Sequence, residues 1–214
     1  MLRKLPPLDG DCRIASPRLW LPIQFLNTVE RLGIPFTEDI LWIRVESQLM
    51  MHCTPLRFKN EAHQNRRYPD YVPLEKRFRI STSRFGIGQM EGSNGTPLGL
   101  HRVVEKIGGG WPPGTVFKGR QPIGYTWQGM PDAKITTRIL WLEGLEPGFN
   151  RGGKVDSHAR YIYIHGTADQ MSIGKPASCG CIHLADADLI PLFDLLPSGT
   201  LVWISSAGRG RPLI

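Results

Sequence analysis

No run of eighteen apolar residues occurs in the 214-residue chain, so the sequence offers no membrane-spanning helix. Cysteine is scarce. The four present, Cys12, Cys53, Cys179 and Cys181, are too few for a disulfide framework in a chain long enough to build its own core. No long polar tract accompanies the 21% of charged residues, which argues against extended disorder. There is no Lys/Arg run or basic stripe interleaved with aromatics, so nucleic acid is not an expected partner. The opening MLRKLPPLDGDCRIASPRLWLPIQF lacks the apolar run of a secretory signal. A cytoplasmic location is therefore expected if this is the natural start, and a periplasmic one if a leader is missing from it. No internal repeat is visible.

What is plentiful is glycine and proline, 24 and 18 residues, which point to many turns and a mainly β fold. The net charge of +7 suits a basic protein that attracts carboxylate- or phosphate-bearing substrates. A short amphipathic helix is expected over Pro22–Leu32, with Ile23, Leu26, Val29 and Leu32 on its apolar side. Strands are expected at Ile40–Val45, Gln48–Cys53, Lys76–Thr82, Thr136–Leu142, Tyr161–His165 and Thr200–Ile204, with a second helix at Asp186–Leu196. Gly86 and Gly88 lie in a Gly-rich turn without the strand–helix context of a phosphate cradle. Ile107–Lys134 is the least regular stretch. Its aromatics, Trp111, Phe117, Tyr125 and Trp127, suggest a loop packed over something, such as a lid.

The residues that carry chemistry lie between Tyr161 and Leu184. The strand YIYIH delivers His165 at its end, and sixteen residues later Cys181 stands in SCGCIHL. A thiol becomes a useful nucleophile when a neighbour takes its proton, and imidazole is the usual agent near neutral pH. Gly180 would let a substrate carbonyl approach, with the Gly180 and Cys181 amides facing its oxyanion. Three other readings share the segment. Cys181 and His165 could be core residues; Cys179, Cys181, His183 and His165 could hold zinc; or Cys179 and Cys181 could act as a redox pair.

The stretch from Tyr163 to Ile204 resembles the L,D-transpeptidase (YkuD-like) catalytic domain. The shared pattern is His-Gly-Thr, Ile-Gly, Ser-x-Gly-Cys-Ile, a helix with Leu-Phe, and Gly-Thr-x-Val. A second element, Thr-Pro-x-Gly leading into a strand, stands at Thr96–Gly99. The resemblance implies a β-sandwich catalytic domain over 39–205 with a few short helices. It would be preceded by a small helical extension (1–38) and followed by a tail (206–214). It further implies a cysteine acyl-transfer enzyme acting on peptidoglycan stem tetrapeptides, cleaving the bond from an L-centre diamino acid to D-Ala through a thioester. By position, Cys181 is the nucleophile and His165 the base, with the Gly166 carbonyl orienting the imidazole and Ser178 and Gly180 shaping the turn. His183 stands where the family commonly has arginine, and would grip a carboxylate only weakly and in a pH-dependent way. His101, Arg102, Arg138 and Tyr163 are the candidate substrate contacts beside His183, with Arg120 a further possible cation. No cofactor and no metal are expected. The expected reaction is L,D-carboxypeptidase cleavage of soluble muropeptides with water as acceptor. The alternatives are transpeptidation or D-amino-acid exchange, and a non-catalytic muropeptide-binding module. The sequence leaves the oligomeric state open.

Overall fold

The computed structural model describes residues 21–55 and 71–206. Cys12, most of the 1–38 extension and most of the 206–214 tail lie outside the described residues. Ten strands make one sheet: β1 (Ile40–Arg44), β2 (Leu49–Pro55), β3 (Tyr71–Ser81), β4 (Gly99–Ile107), β5 (Thr115–Lys118), β6 (Gln121–Tyr125), β7 (Thr136–Gly144), β8 (Tyr163–Gly166), β9 (Ile182–Leu184) and β10 (Leu201–Ser205). Among the described residues the α-helices are α1 (Ile23–Leu32) and α2 (Asp186–Leu195). The fold is mainly β, as expected.

The strand order is β4-β10-β1-β2-β3-β9-β8-β7-β5-β6, and β4 also pairs with β7. That extra pairing returns the sheet on itself, so it has an inner and an outer face. Alternation along the strands sorts the side chains between them. Leu41 and Ile43 of β1, Leu140 and Leu142 of β7, Ile164 of β8 and Ile182 of β9 join the inner core. Leu189, Leu192 and Phe193 of α2 pack against them. On the outer face α1 lays Phe25, Leu26 and Val29 over Ile40, Trp42, Leu100 and Trp203. The helix forms where expected, but its buried face runs through Phe25 rather than Ile23, which is half exposed. The wide apolar surface of Trp42 and Trp203 draws the larger ring inward. Among the described residues, no helix is long and apolar enough to cross a membrane.

The Ile107–Lys134 stretch is more regular than its sequence suggests. β5 and β6 form a hairpin with Lys118 opposite Gln121, so only Gly119 and Arg120 form the loop. Their φ angles are 57° and 68°, as a type I′ turn requires. Pro122 and Gly124 obscure the strand pattern, and both are tolerated because β6 is an edge strand. Phe117 anchors this hairpin in a second outer-face cluster with Ile139, Trp141 and Tyr163, and Cys181 packs against the same cluster.

Candidate active site

The site grows from the pairing of β8 with β9. These strands run parallel, with Ile164 opposite Ile182 and His165 opposite His183. Since Ile164 and Ile182 face inward, Tyr163, His165, Cys181 and His183 share the outer face. Cys181 is level with Tyr163, and so is a diagonal neighbour of His165 across adjacent strands. The rings of His165 and His183 lie 4.7 Å apart, and those of Tyr163 and His165 6.2 Å apart.

His165 is almost wholly enclosed, and its Nδ1 lies 2.7 Å from the Gly166 carbonyl oxygen. A carbonyl only accepts, so Nδ1 carries the proton and Nε2 keeps its lone pair. Burial, with His183 alongside, pushes this imidazole down to about 3, so it is neutral at physiological pH. Gly166 permits this packing. A Cβ there would meet Asp186 Oδ1 at 2.6 Å and Thr136 O at 2.7 Å.

Cys181 ends a stapled turn. Ser178 Oγ donates to the Cys181 carbonyl at 2.6 Å and accepts from the Gly180 amide at 3.3 Å. The Ala177 and Ser178 amides both donate to Thr82 O, fixing the turn to the end of β3. Gly180 has φ 125°, a conformation L side chains rarely adopt. A Gly180→Ala variant is therefore expected to be about 1–3 kcal/mol less stable, because strain of this kind carries that penalty. Its turnover should also fall, as Cys181 is displaced. Denaturant melts beside a turnover assay check this, and wild-type values in both would contradict it.

The Cys181 thiol donates to Tyr161 O at 3.3 Å. Burial pushes it up to about 11, against the pull of the Tyr163 amide; nearby Cys179 raises it further and Arg160 lowers it. Arg160 donates to Gln89 O at 2.7 Å and Gly95 O at 2.8 Å, tying the Gly-rich turn against the site. The resting pair is thus a neutral thiol beside a neutral imidazole. Such a pair can perform nucleophilic acyl transfer in which the proton moves as the sulfur attacks.

The other residues singled out by sequence are placed as follows. Tyr163 flanks Cys181 directly. His183 adjoins His165; burial pushes it down to about 4, and its Nδ1 is enclosed without a hydrogen-bond partner. His101 is fully buried away from this group, with Nδ1 3.1 Å from Gly99 O and Nε2 2.9 Å from Ser157 Oγ. Arg102 projects from β4 and forks onto Glu143 at 2.6 and 2.7 Å. Arg138 is buried, donating to Trp111 O and Thr137 O and lying over the Phe193 ring. The fold thus brings together Cys181, His165, Gly166, Gly180, Ser178, His183 and Tyr163, while His101, Arg102 and Arg138 are engaged elsewhere. Cys179 is exposed, and among the described residues no three His, Cys, Asp or Glu side chains converge as a metal set.

Sequence reasoning missed Arg160 and the Trp141–Tyr161 platform. Trp141 stacks on His158 at 4.0 Å and lies 5.8 Å from Tyr161. Alternation of β7 was the available signal for Trp141; Arg160, in a loop, had none.

The family model of the L,D-transpeptidase catalytic domain, YkuD, matches residues 59–204. The chain belongs to this family. YqjB of Bacillus subtilis (strain 168), a protein bearing the L,D-transpeptidase name, is 35% identical over 81 residues, covering 38% of this chain and 40% of its own. YkuD of the same organism, similarly named, is 48% identical over 42 residues, 20% of this chain and 26% of its own. The chain thus aligns with well under half the length of either curated relative. A solved L,D-transpeptidase from Mycobacterium smegmatis superposes with a TM-score of 0.42 at 14% identity, covering 79% of this chain and 59% of that one.

Proposed function

We propose that this YkuD-family protein is an L,D-carboxypeptidase. It would remove the terminal D-Ala of peptidoglycan stem tetrapeptides, as soluble muropeptides, through a thioester on Cys181. The observation that carries this is the placing of Cys181 and His165 on one face of β8 and β9, with His165 Nδ1 held by Gly166 O. Rotation about the Cys181 side chain swings its sulfur from the Tyr161 carbonyl toward His165 Nε2. The sulfur attacks the carbonyl carbon of the L-centre while Nε2 takes the thiol proton. The Gly180 and Cys181 amides receive the oxyanion, the former by giving up its long contact with Ser178 Oγ. As the tetrahedral carbon collapses, the C–N bond breaks and the imidazolium gives its proton to the leaving amine. Water then attacks the thioester with Nε2 as base, and the released thiolate recovers the proton.

The reading of a cytoplasmic setting, where water is the abundant acceptor, is supported by Cys179. It is exposed two residues before Cys181, and thiols so close need reducing surroundings to keep the nucleophile free. The net charge of +7 favours polyanionic soluble fragments. Mass spectrometry of a tetrapeptide muropeptide after incubation with the wild type and with Cys181→Ala tests the proposal. Tripeptide monomer from the wild type alone is the expected result. Cross-linked dimer would replace hydrolysis by transfer, and intact substrate bound without turnover would leave a binding module.

A further inference from the structure

A substrate ending in a free carboxylate needs a cation near Cys181, and His183 does not supply one, because its buried imidazole is neutral at physiological pH. Arg102 and Arg138 are engaged by Glu143 and by main-chain carbonyls. Arg160 is spent on Gln89 and Gly95, inside the wall of the site. Among the described residues, a further arginine stands over the Cys181 cluster. Arg120 sits at the tip of the β5–β6 hairpin, and its guanidinium lies 4.7 Å above the Trp141 ring and 5.4 Å from the Tyr161 ring. It lies close enough to Tyr163 for the guanidinium and the phenol to influence each other's protonation.

Tyr161 and Tyr163 are the residues that frame the nucleophile: the Tyr161 carbonyl accepts the Cys181 thiol hydrogen bond, and the Tyr163 amide faces its sulfur. Arg120 therefore touches both side chains whose backbones hold Cys181. A guanidinium stacked on aromatic faces keeps its N–H edge free for a planar oxyanion. Arg120 adopts φ 68° in the turn, where glycine or asparagine would be the unstrained choice. Tyr161 has φ 57°, so backbone strain is stored on both sides of the platform. The carboxylate charge that Arg120 senses from within the fold comes from Glu105, which makes no ion pair with it.

We propose that Arg120 binds the free α-carboxylate of the substrate's terminal residue and so confines the enzyme to peptide chain ends. The inference rests on the stem-peptide reading above and names the specificity determinant of that site. In the bound state the carboxylate would take two N–H donors from the guanidinium edge, with the platform of Trp141 and Tyr161 beneath. The scissile carbonyl, one residue back, would then lie toward Cys181.

Calorimetric binding of two synthetic tetrapeptides, one with a free C-terminus and one amidated, to Cys181→Ala protein tests this without need of turnover. The free acid should bind at least tenfold more tightly than the amide, as expected for a charge-assisted bidentate pair. Adding Arg120→Ala should bring that ratio close to one, and Arg120→Lys should restore only part of it. Equal binding of acid and amide to the Cys181→Ala protein would overturn the proposal. So would an unchanged ratio after Arg120→Ala, including a variant that weakens both ligands equally, which would make Arg120 a support for Tyr163. Collapse of the ratio on Lys134→Ala instead would transfer the role to that lysine, whose charge is felt at His183. Failure of the wild type to release the terminal residue in the mass assay would count against the carboxypeptidase reading alone, since the acid-to-amide ratio is read from binding.

Discussion

Replacing His165 by glutamine is expected to lower tetrapeptide turnover at pH 7 by about three orders of magnitude, within the usual worth of a positioned general base. The expectation follows from the state of the thiol. With burial holding Cys181 at about 11, roughly one molecule in ten thousand carries a thiolate at pH 7, so attack depends on proton removal during the step. Glutamine can donate to the Gly166 carbonyl in place of Nδ1, which keeps the local geometry, yet it offers no basic nitrogen. The two proteins should also differ in pH dependence. Wild-type kcat/KM should stay flat from about pH 5.5 to 9, because His165, held at about 3, is already deprotonated throughout. The variant should gain close to tenfold per pH unit as hydroxide takes over the work of the base. A wild-type inflection near the ordinary imidazole value of about 6.5 would show a charged His165 and sink this account. A variant within tenfold of wild type at pH 7 would remove His165 from the chemistry.

Much of this site could be read from the chain because the relevant residues are close in sequence. His165 and Cys181 flank a parallel strand pair, and the alternation YIYIH by itself puts Tyr163 and His165 on one face. Gly166 and Gly180 were legible as glycines with a task, although the reasons differ: one is crowded by Asp186 and Thr136, and the other has a φ that excludes side chains. Long-range neighbours were not legible. His101 follows the Thr-Pro-x-Gly element and looks like a pocket residue, but the strand carries it under the 144–157 loop, where Ser157 and Gly99 take both its nitrogens. Arg102 meets Glu143 only through the β4–β7 pairing that closes the sheet, and no local pattern predicts that pairing. The β5–β6 hairpin was hidden for a chemical reason. Gly-Arg occupies a turn that usually announces itself as Asn-Gly, and Pro122 interrupts the strand that follows. Arg120 thus read as one cation among many, until the turn placed it over Trp141.

The same enclosure that keeps His165 neutral should make the fold sensitive to mild acid. Burial holds His165 at about 3 and His101 at about 4, whereas an unfolded chain would protonate both near 6.5. Between those limits the unfolded state binds more protons than the folded one, so stability rises with pH; it is fully present above about 6.5 and is lost as pH falls toward 4. Each enclosed histidine contributes a slope of about 1.4 kcal/mol per pH unit over that window. Together they should cost the protein about 3 kcal/mol between pH 7.5 and 5.5, a large share of the 5–15 kcal/mol typical of a domain. His183, also lowered, acts in the same direction. Asp186, whose carboxyl is raised by burial, acts in the opposite direction between its ordinary range and its raised folded value. Denaturant unfolding at pH 7.5, 6.5 and 5.5 should therefore show a steady fall in midpoint for the wild type. His165→Gln, which removes one of these three histidine titrations, should lose about a third of that slope whatever its starting stability. Equal midpoints at pH 7.5 and 5.5 would mean that these imidazoles are free to protonate in the folded protein. The neutral base on which the catalytic argument rests would then be lost along with the acid sensitivity.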